Sequence, residues 1–263
     1  MKILISFLLF ISLYAQKPLK ICDDMGEWAP YTYFKRVNGK IDKTKIIGIM
    51  PDVLNEISKQ TGLKYSIDMI PWSRCVNMVK NYDKTHKYEA FMDGSYTTKR
   101  AKEFLVSLPI YATHQTIFYS SKKFPNGVVK NSKFDINNYK ICDVHGYTIE
   151  HYYKEMGLRK DKKIDQRAKD YTAVFKKISS GRCDITVASG GPIYGMAIIG
   201  KIKIPKDIKS QPFPNMKQST FHIFISKKSP RAKELLKQIN DSIKKIKSDG
   251  TFQKIEDKYL KNK

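Results

Sequence analysis

At 263 residues the chain is long enough to bury one large core or to fill two lobes of ordinary domain size, and composition alone does not choose between them. Its 49 Lys and Arg against 25 Asp and Glu leave a formal charge of +24, a balance that points to nucleic acid in a cytoplasmic chain. Here the lysines are scattered instead of forming one stripe interleaved with aromatics, and the first residues give an exported address, so nucleic acid is not the expected partner.

That address is the opening MKILISFLLFISLYAQK, with one basic residue before an apolar run from Ile3 to Tyr14 and the small residue Ala15 after it. It reads as a secretory signal peptide over residues 1–15, cut near Ala15, although Leu13 meets the small-residue rule only half way. The run is short for a membrane span, and nothing later is apolar for long enough to be one. No cysteine sits at the cut, so no lipid anchor is expected, and the mature chain is expected to be a soluble periplasmic monomer. Cys22, Cys75, Cys142 and Cys183 allow three pairings in an oxidising compartment, with buried free thiols as the alternative. If bridges form, pairing within each half is favoured, Cys22 with Cys75 and Cys142 with Cys183. Neither the cysteines nor the five histidines have metal-ligand spacing, and no cofactor motif occurs.

Taken in order, Leu19 to Asp24 is predicted as a strand, followed by a loop from Met25 to Phe34 in which Trp28, Tyr31, Tyr33 and Phe34 surround Pro30. Gly48 to Gly62 is a helix, with Pro51 in its first turn, Val53, Leu54 and Ile57 on its apolar face and Gly62 at its stop. Lys64 to Ile70 alternates as a strand, Pro71-Trp72-Ser73-Arg74 opens a helix with Ser73 as its cap, and Lys80 to Lys87 is a polar loop. A short apolar strand starts at Tyr88, Gly94 breaks it, and Ser95, Thr97 and Thr98 lead into a helix carrying Arg100. Hydroxyls and free N–H groups at a helix start favour a negative ligand group, and a guanidinium is a planar fork for a carboxylate. The same Ser and Thr also suit plain N-caps. This alternation of strands and helices is the pattern of a parallel sheet covered by helices. Ligands of such sheets lie beyond the carboxyl ends of the strands, where the loops with Trp28, with Trp72 and Arg74, and with Asp93 to Thr98 converge.

After a strand from Tyr111 to Ser120 and a polar connector from Lys122 to Asn138, a second round begins. Tyr139 to Val144 is a strand, His145-Gly146-Tyr147-Thr148 a tight loop, Ile149 to Met156 and Tyr171 to Ser180 are helices, and Cys183 to Ala188 is a strand ending in Ser189-Gly190-Gly191. The tetrapeptide Lys-Ile-Cys-Asp opens each half, at 20–23 and 140–143, a hint of two similar lobes. Phe221 to Ser226 is a strand returning to the first lobe. Ser229-Pro230 caps a helix with the stripe Leu235, Leu236, Ile239, Ile243 and Ile246, and a short helix with Phe252, Ile255 and Tyr259 closes the chain.

With these segments placed, the chain resembles the periplasmic solute-binding proteins of ABC-type uptake, in particular the polar-amino-acid-binding group called extracellular solute-binding family 3. The carriers are Trp28-Ala29-Pro30-Tyr31, the Gly48–Gly62 helix, Thr97-Thr98-Lys99-Arg100 followed by Ser107-Leu108-Pro109-Ile110-Tyr111, Gly146-Tyr147-Thr148, Gly181-Arg182-Cys183-Asp184, and Ser248-Asp249-Gly250 with Lys258-Tyr259-Leu260. Pro71-Trp72-Ser73-Arg74 further resembles a subgroup of that family. The resemblance implies a two-lobed α/β periplasmic binding protein of type II, each lobe a mostly parallel sheet flanked by helices, joined by two crossover strands that act as a hinge. Residues 16–113 with 221–263 would form the first lobe and 114–220 the second.

It also implies roles. Arg100 matches the arginine that grips a ligand carboxylate, Ser95 and Thr97 fall beside it, Trp28 matches a stacking ring, and Tyr147 or Thr148 donates from the second lobe. Trp72, Arg74 and Asp93 complete the expected ligand-binding set. Ser189 stands where the family has the acid that pairs with an α-ammonium, the aromatic usual after the glycine of the second segment is Ile49, and the turn Asp93-Gly94 is one residue short. The expected function is capture of a small carboxylate-bearing solute, an amino acid or related compound, for an ABC permease in the inner membrane. Two alternatives remain: a sensory binding protein for a membrane receptor, and a cyclohexadienyl-type dehydratase on the same fold. The second would draw an acid from Asp93, Glu27, His145 or Glu150, but no nucleophile elbow or catalytic Cys-His pattern occurs.

Overall fold

The computed structural model describes residues 17–147 and 149–260. The predicted leader with its cut and the candidate ligand residue Thr148 lie outside the described residues. In chain order the first half contains β1 (Leu19–Asp24), the hairpin β2 (Tyr33–Val37) and β3 (Lys40–Ile47), α1 (Ile49–Thr61), β4 (Tyr65–Ile70), α2 (Trp72–Lys80), the single turn α3 (Tyr82–Thr85), β5 (Ala90–Ser95), α4 (Thr98–Glu103), β6 (Phe104–Val106) and β7 (Tyr111–Thr113). Then follow β8 (Gln115–Ser120), β9 (Ile141–Val144), α5 (Glu150–Lys154), β10 (Ile164–Ala168), α6 (Tyr171–Ser179), β11 (Ile185–Ser189), α7 (Gly190–Ile198), β12 (Ile208–Pro212), β13 (Ser219–Ser226), α8 (Ala232–Ser248) and α9 (Thr251–Leu260). None of the described helices is long and apolar enough to cross a membrane.

Two sheets share one plan. The first runs β4-β1-β5-β13-β6, with β7 also on β13, and the second runs β10-β9-β11-β8-β12. In each, three parallel strands meet one antiparallel strand, β13 against β5 and β8 against β11. The repeated Lys-Ile-Cys-Asp falls on β1 and β9, the same place in each plan. The predicted strand Tyr111 to Ser120 is in fact two strands, since the chain leaves the first sheet at Thr113, turns at His114 and enters the second at Gln115. It returns between β12 and β13, where the His114 ring and the Gln218 amide hydrogen-bond at 2.6 Å and tie the two crossings together.

Apolar periodicity accounts for the cores. The α8 stripe buries Leu235, Ile239, Ile243 and Ile246 beside Val53, Leu54 and Ile57 of α1 on one face of the first sheet. The opposite face holds Phe91, Phe104 and Phe224 with the Cys22–Cys75 bridge from β1 to α2. A second bridge, Cys142–Cys183, lies beside the second sheet.

Several local expectations change. Pro71 takes the N-cap position of α2, its φ of −53° suiting a helix start, and Ser73 lies inside the helix. Lys80 to Lys87 is not all loop, because Tyr82 is buried and draws one helical turn. Ser229 does not cap α8; its hydroxyl donates to buried Glu89, which Arg231 also holds.

Candidate functional site

The carboxyl ends of β1, β4 and β5 feed three loops, and the site is built from them upward. Gly94 does not end β5. The strand carries one extra residue relative to β13 at Met92-Asp93, and Asp93 takes φ +56°, a bulge of the kind that re-aims a side chain beside a functional site. The bulge turns Asp93 inward. Its carboxylate accepts from Thr32 Oγ1 at 2.5 Å and from Tyr111 Oη at 2.7 Å. The expected ligand contact is therefore corrected: Asp93 is 9% exposed and fully engaged beneath the site.

Asp23 lies against it, 1% exposed, with Oδ1 taking the N–H of Asp24 at 2.8 Å. Burial, and then the Asp93 charge, hold the Asp23 carboxyl well above its ordinary value, and burial raises Asp93 despite the bonds it accepts. Two buried carboxyls this close ionise together only at high cost, so the pair favours holding one shared proton, and Asp23 Oδ2, which has no other hydrogen-bond partner among the described residues, is the atom that would carry it toward Asp93. In the second sheet Asp143, at the matching place, accepts the N–H of Val144 at 2.7 Å, and burial pushes it up to about 6.

Above the carboxyl pair the loop after β1 folds back on itself, Trp28 N–H bonding Thr32 O at 2.7 Å. Tyr31 stacks on Tyr111 at 3.7 Å and Tyr111 on Phe221 at 4.8 Å, so the loop rests on both strands next to the crossings. Trp28 is half-buried against Phe221, and its Nε1–H is buried with no hydrogen-bond partner among the described residues. Helix α7 of the second lobe packs on the same loop. A Cβ added at Gly195 would stand 2.1 Å from the carbonyl oxygen of Ala29, so only glycine permits this approach.

Arg100 forms the second part of the site. Thr97 caps α4, accepting the N–H of Arg100 at 3.1 Å, which is the plain structural role foreseen for a hydroxyl there. The guanidinium donates from Nη1 to Ser95 O at 2.7 Å and to Ser95 Oγ at 2.9 Å. Its carbon lies 5.5 Å from the Trp72 ring and 5.9 Å from that of Phe224. Burial lowers its pKa, and among the described residues no carboxylate lies within ion-pair distance of it. Trp72, Ser95, Thr97 and Arg100 are thus brought together, whereas Arg74 points to solvent beside the Cys22–Cys75 bridge.

From the other lobe Tyr147 is 49% exposed, edge-on to Tyr171, its carbonyl accepting from Gln166 Nε2 at 2.8 Å. Desolvation raises its phenol, followed by the charges of Asp24 and Asp143, which puts Asp24 of the first lobe near it. Ser189 Oγ accepts from Thr113 Oγ1 at 3.1 Å, a hydrogen bond between the lobes. Sequence reasoning missed a polar contact across the gap, Lys201 to Glu27 at 3.9 Å. Burial favours protonation of Glu27, but the hydrogen bonds of Arg36 and Phe34 N–H, with the charges of Arg36 and Lys201, bring it below the ordinary value. Glu27 lies in the loop after β1 and Arg36 on β2, nine residues apart, so no local spacing announced the pair.

The comparisons with known proteins agree with this layout. The model of "Bacterial extracellular solute-binding proteins, family 3" matches residues 22–262. The L-cystine-binding protein TcyA of Bacillus subtilis (strain 168) is 24% identical over 254 residues, covering 89% of this chain and 78% of its own length. The crystal structure of the substrate-binding protein of an amino acid ABC transporter superposes with a TM-score of 0.66 at 21% identity, over 93% of this chain and 100% of that one. A histidine kinase sensor domain similar to periplasmic binding proteins gives 0.67 at 16% identity, over 94% and 97%. These structures share the two-lobed type II binding-protein fold. By a family match that spans nearly all of its described residues, the chain belongs to the bacterial extracellular solute-binding proteins of family 3.

Proposed function

We propose that the protein captures a small carboxylate-bearing solute, an amino acid or a related compound, between two lobes and delivers it to an ABC permease. The observation that carries this reading is Arg100, a desolvated guanidinium preset by Ser95 and Trp72 and lacking a protein carboxylate among the described residues. A ligand carboxylate supplies the missing charge. The first lobe would comprise residues 16–113 with 221–263 and the second 114–220, with His114 and residues 213–218 as the hinge. The site is proposed to work in the periplasm, as a monomer. A relative named for L-cystine binding supports an amino-acid-type ligand. In this chain Ser189 is neutral and held by Thr113, so an α-ammonium would turn to Asp24, whose side chain, among the described residues, accepts only from Gly26 N–H at 2.9 Å.

Binding fits better than catalysis, because three of the four groups considered for a dehydratase are engaged, Asp93 by Thr32 and Tyr111, Glu27 by Arg36 and Glu150 by Lys154, and the fourth, His145, is exposed. The test is a thermal-shift and calorimetric screen of the mature protein against amino acids and their deaminated and decarboxylated analogues. A carboxylate ligand is expected to bind, and Arg100→Ala to weaken it about 10- to 100-fold, the worth of a charge-assisted hydrogen bond at roughly 1.5–3 kcal/mol. Unchanged affinity in Arg100→Ala would refute the reading, and turnover of prephenate or arogenate would replace it with an enzyme.

A further inference from the structure

The meeting of Lys201 with the loop after β1 is set by the backbone on both sides. Helix α7 stops at Gly200, whose φ of +73° lets its N–H return to Ala197 O at 3.0 Å and that of Lys201 to Met196 O at 2.9 Å. Together with the approach of Gly195 to Ala29, this stop leaves Lys201 Nζ 3.9 Å from Glu27 Oε2, its side chain 32% exposed. On the loop, Glu27 N–H bonds Asp24 O at 3.0 Å and Gly26 N–H bonds Asp24 Oδ1 at 2.9 Å, so one tight turn carries both acids. Glu27 is already answered by Arg36, which holds both of its oxygens. Asp24 has no such partner among the described residues. Burial lowers the Lys201 pKa, and the charges of Glu27 and Asp24 oppose that fall. With Glu27 cancelled by Arg36, the charge left to balance Lys201 is that of Asp24.

We infer that Lys201 is a specificity-determining residue: it acts as the protein's own ammonium for Asp24 and biases capture toward solutes that bring no positive charge to that end of the site. This rests on the solute-binding reading, in which an α-ammonium has to use Asp24 because Ser189 is neutral and held by Thr113. A solute ammonium at Asp24 would stand beside a second ammonium with one carboxylate between them, since Arg36 has taken the other. Like charges brought together in a partly desolvated gap repel, and a deaminated acid escapes that cost.

The experiment is calorimetry on the mature parent protein, Lys201→Met and Lys201→Arg, with the twenty protein L-amino acids and the deaminated acid of each as probes. Methionine keeps the apolar stem without the charge and arginine keeps the charge, and thermal melts check that both variants fold. The affinity of an amino acid relative to its deaminated acid is expected to rise about tenfold in Lys201→Met and to stay at the parent value in Lys201→Arg. That gain should vanish when Asp24→Asn is added to Lys201→Met; a gain that persists there reflects a changed cleft shape and overturns the assignment. A ratio unaltered in Lys201→Met, or altered equally in both variants, also overturns it and leaves the solute-binding reading standing. Should no probe bind any of these proteins, the amino-acid reading falls and the role of Lys201 falls with it.

Discussion

Three aspartates show how one residue type takes different protonation states from its surroundings. Asp23 and Asp143 occupy matching places at the ends of β1 and β9, each accepting the next residue's N–H, and each is raised by burial. A carboxyl raised in the folded state keeps a proton that the unfolded chain has released above about pH 4, so the protein loses stability as pH rises from there to the folded value. For Asp143 that window closes near pH 6. At ~1.4 kcal/mol per pH unit the loss amounts to roughly 3 kcal/mol as an upper bound. Asp143→Asn is therefore expected to flatten the melting temperature between pH 4 and 6, and Asp23→Asn to raise it at pH 7–8, because an amide can donate to Asp93 without a proton to lose. Thermal melts across pH check both; a wild-type profile that rises through this range would contradict the assignment. Asp93 also marks a limit of sequence reading. An acid at a strand end looks like a ligand group, and only the one-residue bulge, set by pairing with β13 far along the chain, turns it inward.

Elements with strong local signals were legible. The α1 and α8 stripes, the glycines after α1 and α6 and the strands β1, β4 and β9 all follow from periodicity and stop residues. Missed were β10 and β12, short edge strands with polar or charged letters, and the β2–β3 hairpin, solvated enough to hide its alternation. Helix α7 was missed because three glycines in nine residues argue against a helix; at least Gly195 serves contact with the other lobe, a need invisible locally. The bridge Cys22–Cys75 links the strand that carries Asp23 to the helix that starts at Trp72, across 53 residues. Replacing both cysteines by serine should cost about 4 kcal/mol on the chain-entropy view, a fall in Tm on the order of 10 °C. It should also weaken carboxylate binding, since Trp72 supports Arg100. Calorimetry of the double variant measures both, and an unaltered affinity would show that Trp72 is held by Phe91 alone.

For the whole molecule, the contacts between lobes set how it moves. The Trp28–Thr32 loop sits on the crossing strands and receives α7, with Lys201 reaching Glu27 beside it. Such an arrangement fits hinge closure, in which the loops absorb rotation and the packed lobes stay rigid. Gly195→Val should hold α7 away from Ala29, giving a larger radius of gyration by small-angle scattering and an affinity for the interlobe ligand weaker by about tenfold or more. An unchanged profile and affinity would mean that the contact is not part of closure. The two-lobe plan itself was readable from the repeated Lys-Ile-Cys-Asp and the alternating elements; the exact point of crossing was not, because Tyr111 to Ser120 is uniformly strand-like and only the pairing partners change at His114.

The strand order of the first sheet has a consequence for the order in which the chain folds. The second sheet uses consecutive residues from 115 to 212 and can close as soon as they are available. The first sheet cannot, because its inner strand β13 lies near the carboxyl end, and until it arrives β5 presents an open, apolar edge from Ala90 to Met92. The half of the chain that comes first is thus the half completed last, and until β13 pairs with it β5 is the segment most in need of protection from aggregation.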